Sequence, residues 1–160
     1  MTEVRRATPD DAPVLARLLW DFNTEFDTET DEVEVLAARF ARLLGLEPMV
    51  AVLGDDDGEA VGFALLSLRP AIWFDGPVSQ LEELYVVPDL RDRGIGTQVL
   101  DLSRRIVQDL GSPEMHINVD EVDADTRRFY ERHGFRNIEA GTDHRMLCYI
   151  GPTSGDPIPS

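Results

Sequence analysis

The chain has no lysine and a single cysteine. All fifteen of its basic residues are arginine, set against 31 Asp and Glu, for a formal net charge of −16 over 160 residues. So acidic a balance excludes an ordinary nucleic-acid binder, which shows a basic face. It suits a cationic substrate, because an acidic cleft concentrates cations. The lack of lysine also points to a compositional bias, which accounts for the larger share of the overall charge. The lone Cys148 rules out an internal disulfide and fits a reducing, cytoplasmic compartment. Its place in the apolar pattern Met146-Leu147-Cys148-Tyr149-Ile150 marks it as a packing residue rather than a nucleophile. No apolar run reaches the eighteen or so residues of a membrane span. Met1-Thr2-Glu3-Val4 has no basic stretch followed by an apolar one, so no signal peptide is expected. His116, His133 and His144 lack metal-ligand spacing, so no metal is expected. No serine sits in a Gly-x-Ser-x-Gly elbow, which removes the usual hydrolase arrangement.

What is present is a mixed succession of apolar patterns. Val4 to Ala7 reads as a short strand. Thr8, Pro9, Asp10 and Asp11 read as a helix start, with Val14, Leu15, Leu18, Leu19 and Phe22 as its apolar face. A second helix spans Glu32 to Leu44. Strands follow at Met49 to Leu53, Val61 to Leu68 and Ser79 to Val87, the first two joined by a turn at Asp55-Asp56-Asp57-Gly58. Ile95, Val99, Leu102, Ile106 and Leu110 recur at helical steps. Glu114 to Val119 reads as a strand, Asp123 to His133 as a helix, and Phe135 to Glu139 and Arg145 to Ile150 as two last strands. The fold class is therefore α/β (α+β). A mixed sheet of about seven strands is expected, in the order β-αα-βββ-α-β-α-ββ with helices on both faces. Residues 1–150 read as one domain. The Pro, Gly and Ser of residues 151–160 read as a disordered tail.

Arg91-Asp92-Arg93-Gly94-Ile95-Gly96-Thr97 joins a strand to a helix. A glycine turn opening a helix aims backbone N–H groups and the positive end of the helix dipole at one point, which suits phosphate. Taken alone, it is equally a glycine turn capping an ordinary helix. The loop lacks the Lys-Ser/Thr of a nucleoside-triphosphate loop and the third glycine of a dinucleotide fingerprint. It resembles the coenzyme A pyrophosphate loop of the GNAT family of acyl-CoA N-acyltransferases, whose pattern Gln/Arg-x-x-Gly-x-Gly/Ala is filled by Arg91, Gly94 and Gly96. A second stretch is similar to the family's Asn-x-x-Ala-x-x-Phe/Leu-Tyr-x-x-x-Gly-Phe: Phe129, Tyr130, Gly134 and Phe135 match, while Asp123 and Thr126 depart from it. The resemblance runs from about Glu3 to Ile150. It implies the GNAT fold, with a splayed gap between the strands flanking the glycine-loop helix.

The resemblance also implies roles. Acetyl-CoA is the expected co-substrate, with Leu84, Tyr85 and Val86 along the pantetheine arm. Arg91, Asp92, Arg93, Gly94, Ile95, Gly96 and Thr97 would surround the pyrophosphate, and Asp123 would lie beside the cofactor. Moving an acyl group from thioester to amine needs a base for the amine proton and an acid for the thiolate. Tyr130 is the implied acid. Leu81-Glu82-Glu83-Leu84-Tyr85-Val86 resembles the diamine and polyamine acetyltransferase branch, which makes Glu82 the base and Glu83 a substrate carboxylate. Adjacent strand residues face opposite ways, so both can reach one pocket only if a bulge twists the strand. Glu25, within the acidic run from Asp21 to Glu32, and Trp73 are further acceptor-site candidates. The plain reading of that run is a solvated acidic loop. The expected activity is direct acetyl transfer, in a ternary complex, to a small amine. A peptide or protein N-acetyltransferase and a non-catalytic CoA-binding module are the alternatives. No nucleic-acid or membrane partner is expected, and the resemblance implies a homodimer.

Overall fold

Val61 to Leu68 is apolar at almost every position, the mark of a strand covered on both faces. It lies at the centre of the sheet in the computed structural model, which describes residues 1–159. The elements in chain order are β1 (Thr2–Arg6), α1 (Ala12–Glu25), α2 (Val33–Leu44), β2 (Met49–Asp56), β3 (Glu59–Arg69), β4 (Val78–Val86), α3 (Ile95–Asp109), β5 (Met115–Ile117) and α4 (Ala124–Arg132). The chain packs as two units, Met1–Ile117 and Asn118–Ser160.

The first unit is a five-stranded sheet in the order β1-β2-β3-β4-β5. The first four strands pair antiparallel, and β4 pairs parallel with β5 across the α3 connection. Strand alternation sorts the side chains. Ala51, Leu53, Phe63, Leu65 and Tyr85 join Leu15, Ala16, Leu18, Leu36 and Phe40 in the core under α1 and α2. The opposite face carries α3. There Gly54 and Gly62 stand opposite each other in the register. A Cβ on Gly54 would meet Val99 at 3.4 Å, and one on Gly62 would come within 2.9 Å of the Tyr85 carbonyl. The missing side chains let the start of α3 lie directly on the sheet.

The hairpin between β2 and β3 turns at Asp57 (φ 52°) and Gly58 (φ 86°), as an Asp-Gly pair favours. The entry to α1 is a short 3-10 turn, Pro9–Asp11. Its Asp11 carboxylate accepts from the Thr8 N–H (2.8 Å) and from both Arg5 terminal nitrogens (2.8 Å each).

In the second unit, the expected sixth and seventh strands do not form. The segments 135–139 and 145–150 share one isolated antiparallel bridge, Ile138 with Arg145. Two short backbone bonds flank it, Glu139 N–H to His144 O (2.9 Å) and Met146 N–H to Asn137 O (2.6 Å). A lone hairpin is marginal without a face to bury. Here Met146, Leu147, Tyr149 and Ile150 are all exposed, so within this unit the apolar alternation that suggested a strand finds no face to pack on. Cys148, expected to pack, is exposed for the same reason. Residues 151–159 carry no helix or strand, and Ser160 lies outside the described residues. No helix among the described residues is long and apolar enough to cross a membrane.

The Arg5 fork and the Thr8 N–H hold the Asp11 carboxyl down at about 2, below its ordinary 3.8. The unfolded chain therefore takes up this proton first on acidification, and stability is lost as pH falls from about 4 toward 2. Asp11→Asn should cost about 1 kcal/mol at pH 7 after allowance for solvent screening, and almost nothing at pH 2. Urea denaturation at the two pH values checks this.

Candidate active site

The β4 strand runs toward the glycine loop and loses its outer partner on the way. The parallel ladder with β5 ends at Leu81 and Ile117, while β4 continues to Val86. Glu82 to Val86 therefore present an open edge within this unit. On the inner side the Val87 N–H donates to Val61 O (2.9 Å). By the two-residue alternation of an antiparallel ladder, the amides of Leu84 and Val86 point the other way, to the open edge. An edge of this kind can take an extended ligand as an added strand. The side chain of Tyr85, by contrast, is buried in the core.

A bulge lies at the place where the ladder ends. Leu65 pairs with Glu83 but its neighbour Leu66 pairs with Leu81, so Glu82 is the extra residue. The bulge breaks the alternation. Ser67 pairs with Gln80 and donates from Oγ to Glu82 Oε1 (2.6 Å), while Glu83 pairs with Leu65 two residues along β3. Both acids thus stand on the α1/α2 face, which strict alternation would forbid. Glu82 is exposed and Glu83 half-buried. Burial first, and the neighbouring Glu82 charge second, push the Glu83 carboxyl from its ordinary 4.5 up to about 7. Further along the same row, Arg69 donates to His116 Nδ1 (3.0 Å), which leaves Nε2–H to donate to Glu114 (2.6 Å).

After β4, Pro88–Leu90 makes a 3-10 turn, and Asp92 (φ 61°) and Gly94 (φ 81°) are left-handed. Gly94 caps α3. The amides of Ile95 and Gly96 open the first helical turn and have no acceptor inside the helix, the arrangement that binds anions. Ile95 is buried, which anchors the turn. Asp92 and Arg93 are exposed, and Thr97 is half-buried.

Arg91, just ahead of this turn, is held by two elements at once. Its Nε donates to Val86 O (2.9 Å), and its two terminal nitrogens fork onto the Glu25 carboxylate (2.7 and 2.6 Å). The guanidinium also lies over Tyr85 (5.6 Å) and Phe26 (5.9 Å). Arg91 therefore ties the end of α1 to the end of β4, with Glu25 as its partner there. The adjacent Tyr85 phenol is raised above its ordinary value, by burial first and by Glu25 second. Trp73 lies in the loop at the other end of β4 and is 86% exposed. Ser67 and the Arg69–His116–Glu114 chain went unread in the sequence. Ser67 reaches Glu82 only because of the bulge, and cross-strand register is invisible without it.

In the second unit Asp123 is the N-cap of α4, its carboxylate accepting from the Thr126 N–H (3.2 Å). Aspartate caps as well as asparagine does, so the departure at this position keeps the helix start. At the other end Gly134 (φ 88°) follows the C-cap residue His133. The Phe135 N–H donates to Tyr130 O (3.0 Å) and the Gly134 N–H to Glu131 O (3.1 Å). This is a Schellman stop, and its usual apolar contact is made by the Tyr130 and Phe135 rings, 5.7 Å apart. Tyr130 is buried. Among the described residues no group of three or more His, Cys, Asp or Glu is placed to hold a metal.

Residues 13–135 match the profile of the Acetyltransferase (GNAT) family. The aminoglycoside N(6')-acetyltransferase type 1 of Klebsiella aerogenes is 34% identical over 98 residues, which cover 60% of this chain and 62% of that protein's length. A candidate acetyltransferase of Arthrobacter sp. FB24 has a crystal structure that superposes with a TM-score of 0.86 at 43% identity, covering 94% of this chain and 95% of that one. The structure of AAC(6')-Iy with a bisubstrate analogue, CoA-S-monomethyl-acetylneamine, shares the fold at a TM-score of 0.75 and 21% identity, covering 95% of this chain and 99% of that one.

A carboxyl held above its ordinary value weakens the fold as it ionises. Between pH 4.5 and 7 the native state keeps the Glu83 proton that the unfolded chain has lost, so stability falls with rising pH across that window and is level above it. Glu83→Gln should raise stability by about 1–2 kcal/mol at pH 8, the full shift being discounted for solvent, and leave it unchanged at pH 4. Thermal melts of both proteins at the two pH values read this directly.

Proposed function

The chain belongs to the acetyltransferase (GNAT) family, and from that membership we propose that it moves the acetyl group of acetyl-CoA to a primary amine of a small, multiply charged amine, by direct transfer in a ternary complex. The observation that carries the reading is the pair Glu82 and Glu83, set on one face of β4 where its edge opens. A cationic amine is drawn to such a pair, and one of the two carboxylates takes its proton. The Ile95 and Gly96 amides at the start of α3 suit the pyrophosphate, and the Leu84 and Val86 amides suit the amide groups of the pantetheine arm. Acetyl-CoA supplies the thioester carbonyl that the amine attacks. Tyr130 is assigned the return of a proton to the departing thiolate, on the strength of its place in the second family signature. Trp73 and Glu25 are the remaining acceptor-side candidates; Glu25 would act through Arg91, which it holds.

Two classes of amine fit the acids equally. The named relatives include aminoglycoside acetyltransferases, while the Leu81–Val86 stretch resembles the diamine and polyamine branch. Both kinds of molecule offer several ammonium groups on a small frame. A homodimer and a cytoplasmic location belong to the same reading; they rest on the resemblance and on the lone Cys148.

Thiol release from acetyl-CoA should be measured with aminoglycosides, diamines and polyamines beside monoamines, amino acids and peptides. Turnover is expected with the multiply charged small amines. Turnover confined to peptides, or binding of acetyl-CoA with no acceptor at all, would overturn the reading. Tyr130→Phe should lower kcat by about 100-fold, the usual scale for losing a proton donor, with the Kd for acetyl-CoA within about twofold of the parent. An unchanged kcat removes Tyr130 from the reaction.

A further inference from the structure

Given the acetyl-transfer reading, on which this inference rests, we propose that Glu83 rather than Glu82 removes the proton from the acceptor amine, while Glu82, held by Ser67, supplies the fixed negative charge that draws the amine in. The sequence alone suggests the reverse, because the resemblance gives the base to the first acid of the pair.

The geometry separates two neighbours that look equivalent in the chain. Glu82 is the bulged residue. It is exposed, and one of its oxygens already accepts from the Ser67 hydroxyl at 2.6 Å. Glu83 is back in register with Leu65, half-buried beside the apolar core. Among the described residues its carboxylate takes no hydrogen bond from a protein group, so both of its oxygens are open to a proton. A base works best when its proton affinity matches the working pH, which burial and a like charge next door bring about. Glu83 meets that condition, held at about 7 by burial and by Glu82.

The other charged groups around the pair are already engaged or lie further along. Toward β5, Arg69 is bonded to His116, and His116 to Glu114. From α1, Glu25 is held by Arg91, and Asp21 and Glu25 act on the Tyr85 phenol. The charge acting on Glu83 is that of Glu82. The step balances simply. The ammonium N–H bond breaks, its proton goes to a Glu83 oxygen, and the freed lone pair forms the N–C bond to the thioester carbonyl. The C–S bond then breaks, the thiolate leaves with its electron pair, and the second proton that the nitrogen sheds in becoming an amide balances the one the thiolate takes up. The Glu83 proton returns to solvent before the next turnover.

Two measurements test the assignment. The first is the pH profile of kcat/KM for the parent, Glu82→Gln and Glu83→Gln, with whichever amine turns over. The parent should show an ascending limb near pH 7. Glu83→Gln should lose that limb and about 100-fold or more of kcat/KM. Glu82→Gln should keep the limb, moved to lower pH because the repelling charge is gone, and should show its main loss in KM. A limb that disappears in Glu82→Gln and survives in Glu83→Gln overturns the assignment and leaves acetyl transfer standing. Absence of turnover with every amine overturns acetyl transfer and the assignment together. The second measurement needs no turnover: carbon-13 NMR of glutamate-labelled protein should show one carboxyl titrating near neutrality, absent in Glu83→Gln and present in Glu82→Gln. The opposite pattern overturns the proposal independently of the kinetics.

Discussion

One extra residue in β4 sets the layout of the second half of that strand. Up to Leu81 the strand is an ordinary internal strand, paired to β3 on one side and β5 on the other. At Glu82 the register slips by one and the outer ladder stops. The slip sets two consecutive carboxylates on one face, and the loss of the ladder leaves backbone amides unpaired by a strand on the other side. The paired acids and the open strand edge thus arise at one point on β4. The acids face the α1/α2 side, the free amides look along the sheet, and the glycine turn that caps α3 follows within a few residues.

The position of that point depends on Arg91. A strand edge without a neighbour is free to fray, and a glycine turn with two left-handed residues is soft. Arg91 counters both. It bonds the carbonyl of Val86 at the strand end and forks onto Glu25 at the end of α1, with Tyr85 and Phe26 beneath its guanidinium. A bidentate arginine–carboxylate pair is directional in a way a lysine could not be. Glu25 holds this side chain, while the start of α3 presents backbone amides and the positive end of its own dipole.

The elements of the first unit were legible because each had a local cause: Thr8 and Pro9 before α1, Asp57-Gly58 between β2 and β3, glycine before α3. The acids at Glu82 and Glu83 were legible as a pair but not as individuals. Their difference comes from Ser67 and Leu65 across the sheet, and no periodicity within β4 reports a bulge. The hold on Arg91 was not legible for a related reason: its partner Glu25 is 66 residues away in the chain. The last two strands were over-read because Met146 to Ile150 has the composition of a strand, whereas a strand exists only where a neighbour and a face receive it.

The end of α4 separates two pressures that sequence comparison merges. Gly134 and Phe135 follow Tyr130 at the spacing of a helix stop, and the ring contact of that stop would be closed as well by phenylalanine at position 130. Most of this family signature can therefore persist through selection on folding alone. A chain could keep Gly134 and Phe135 for the sake of this stop alone, so their presence in a sequence reports a helix end before it reports a reaction.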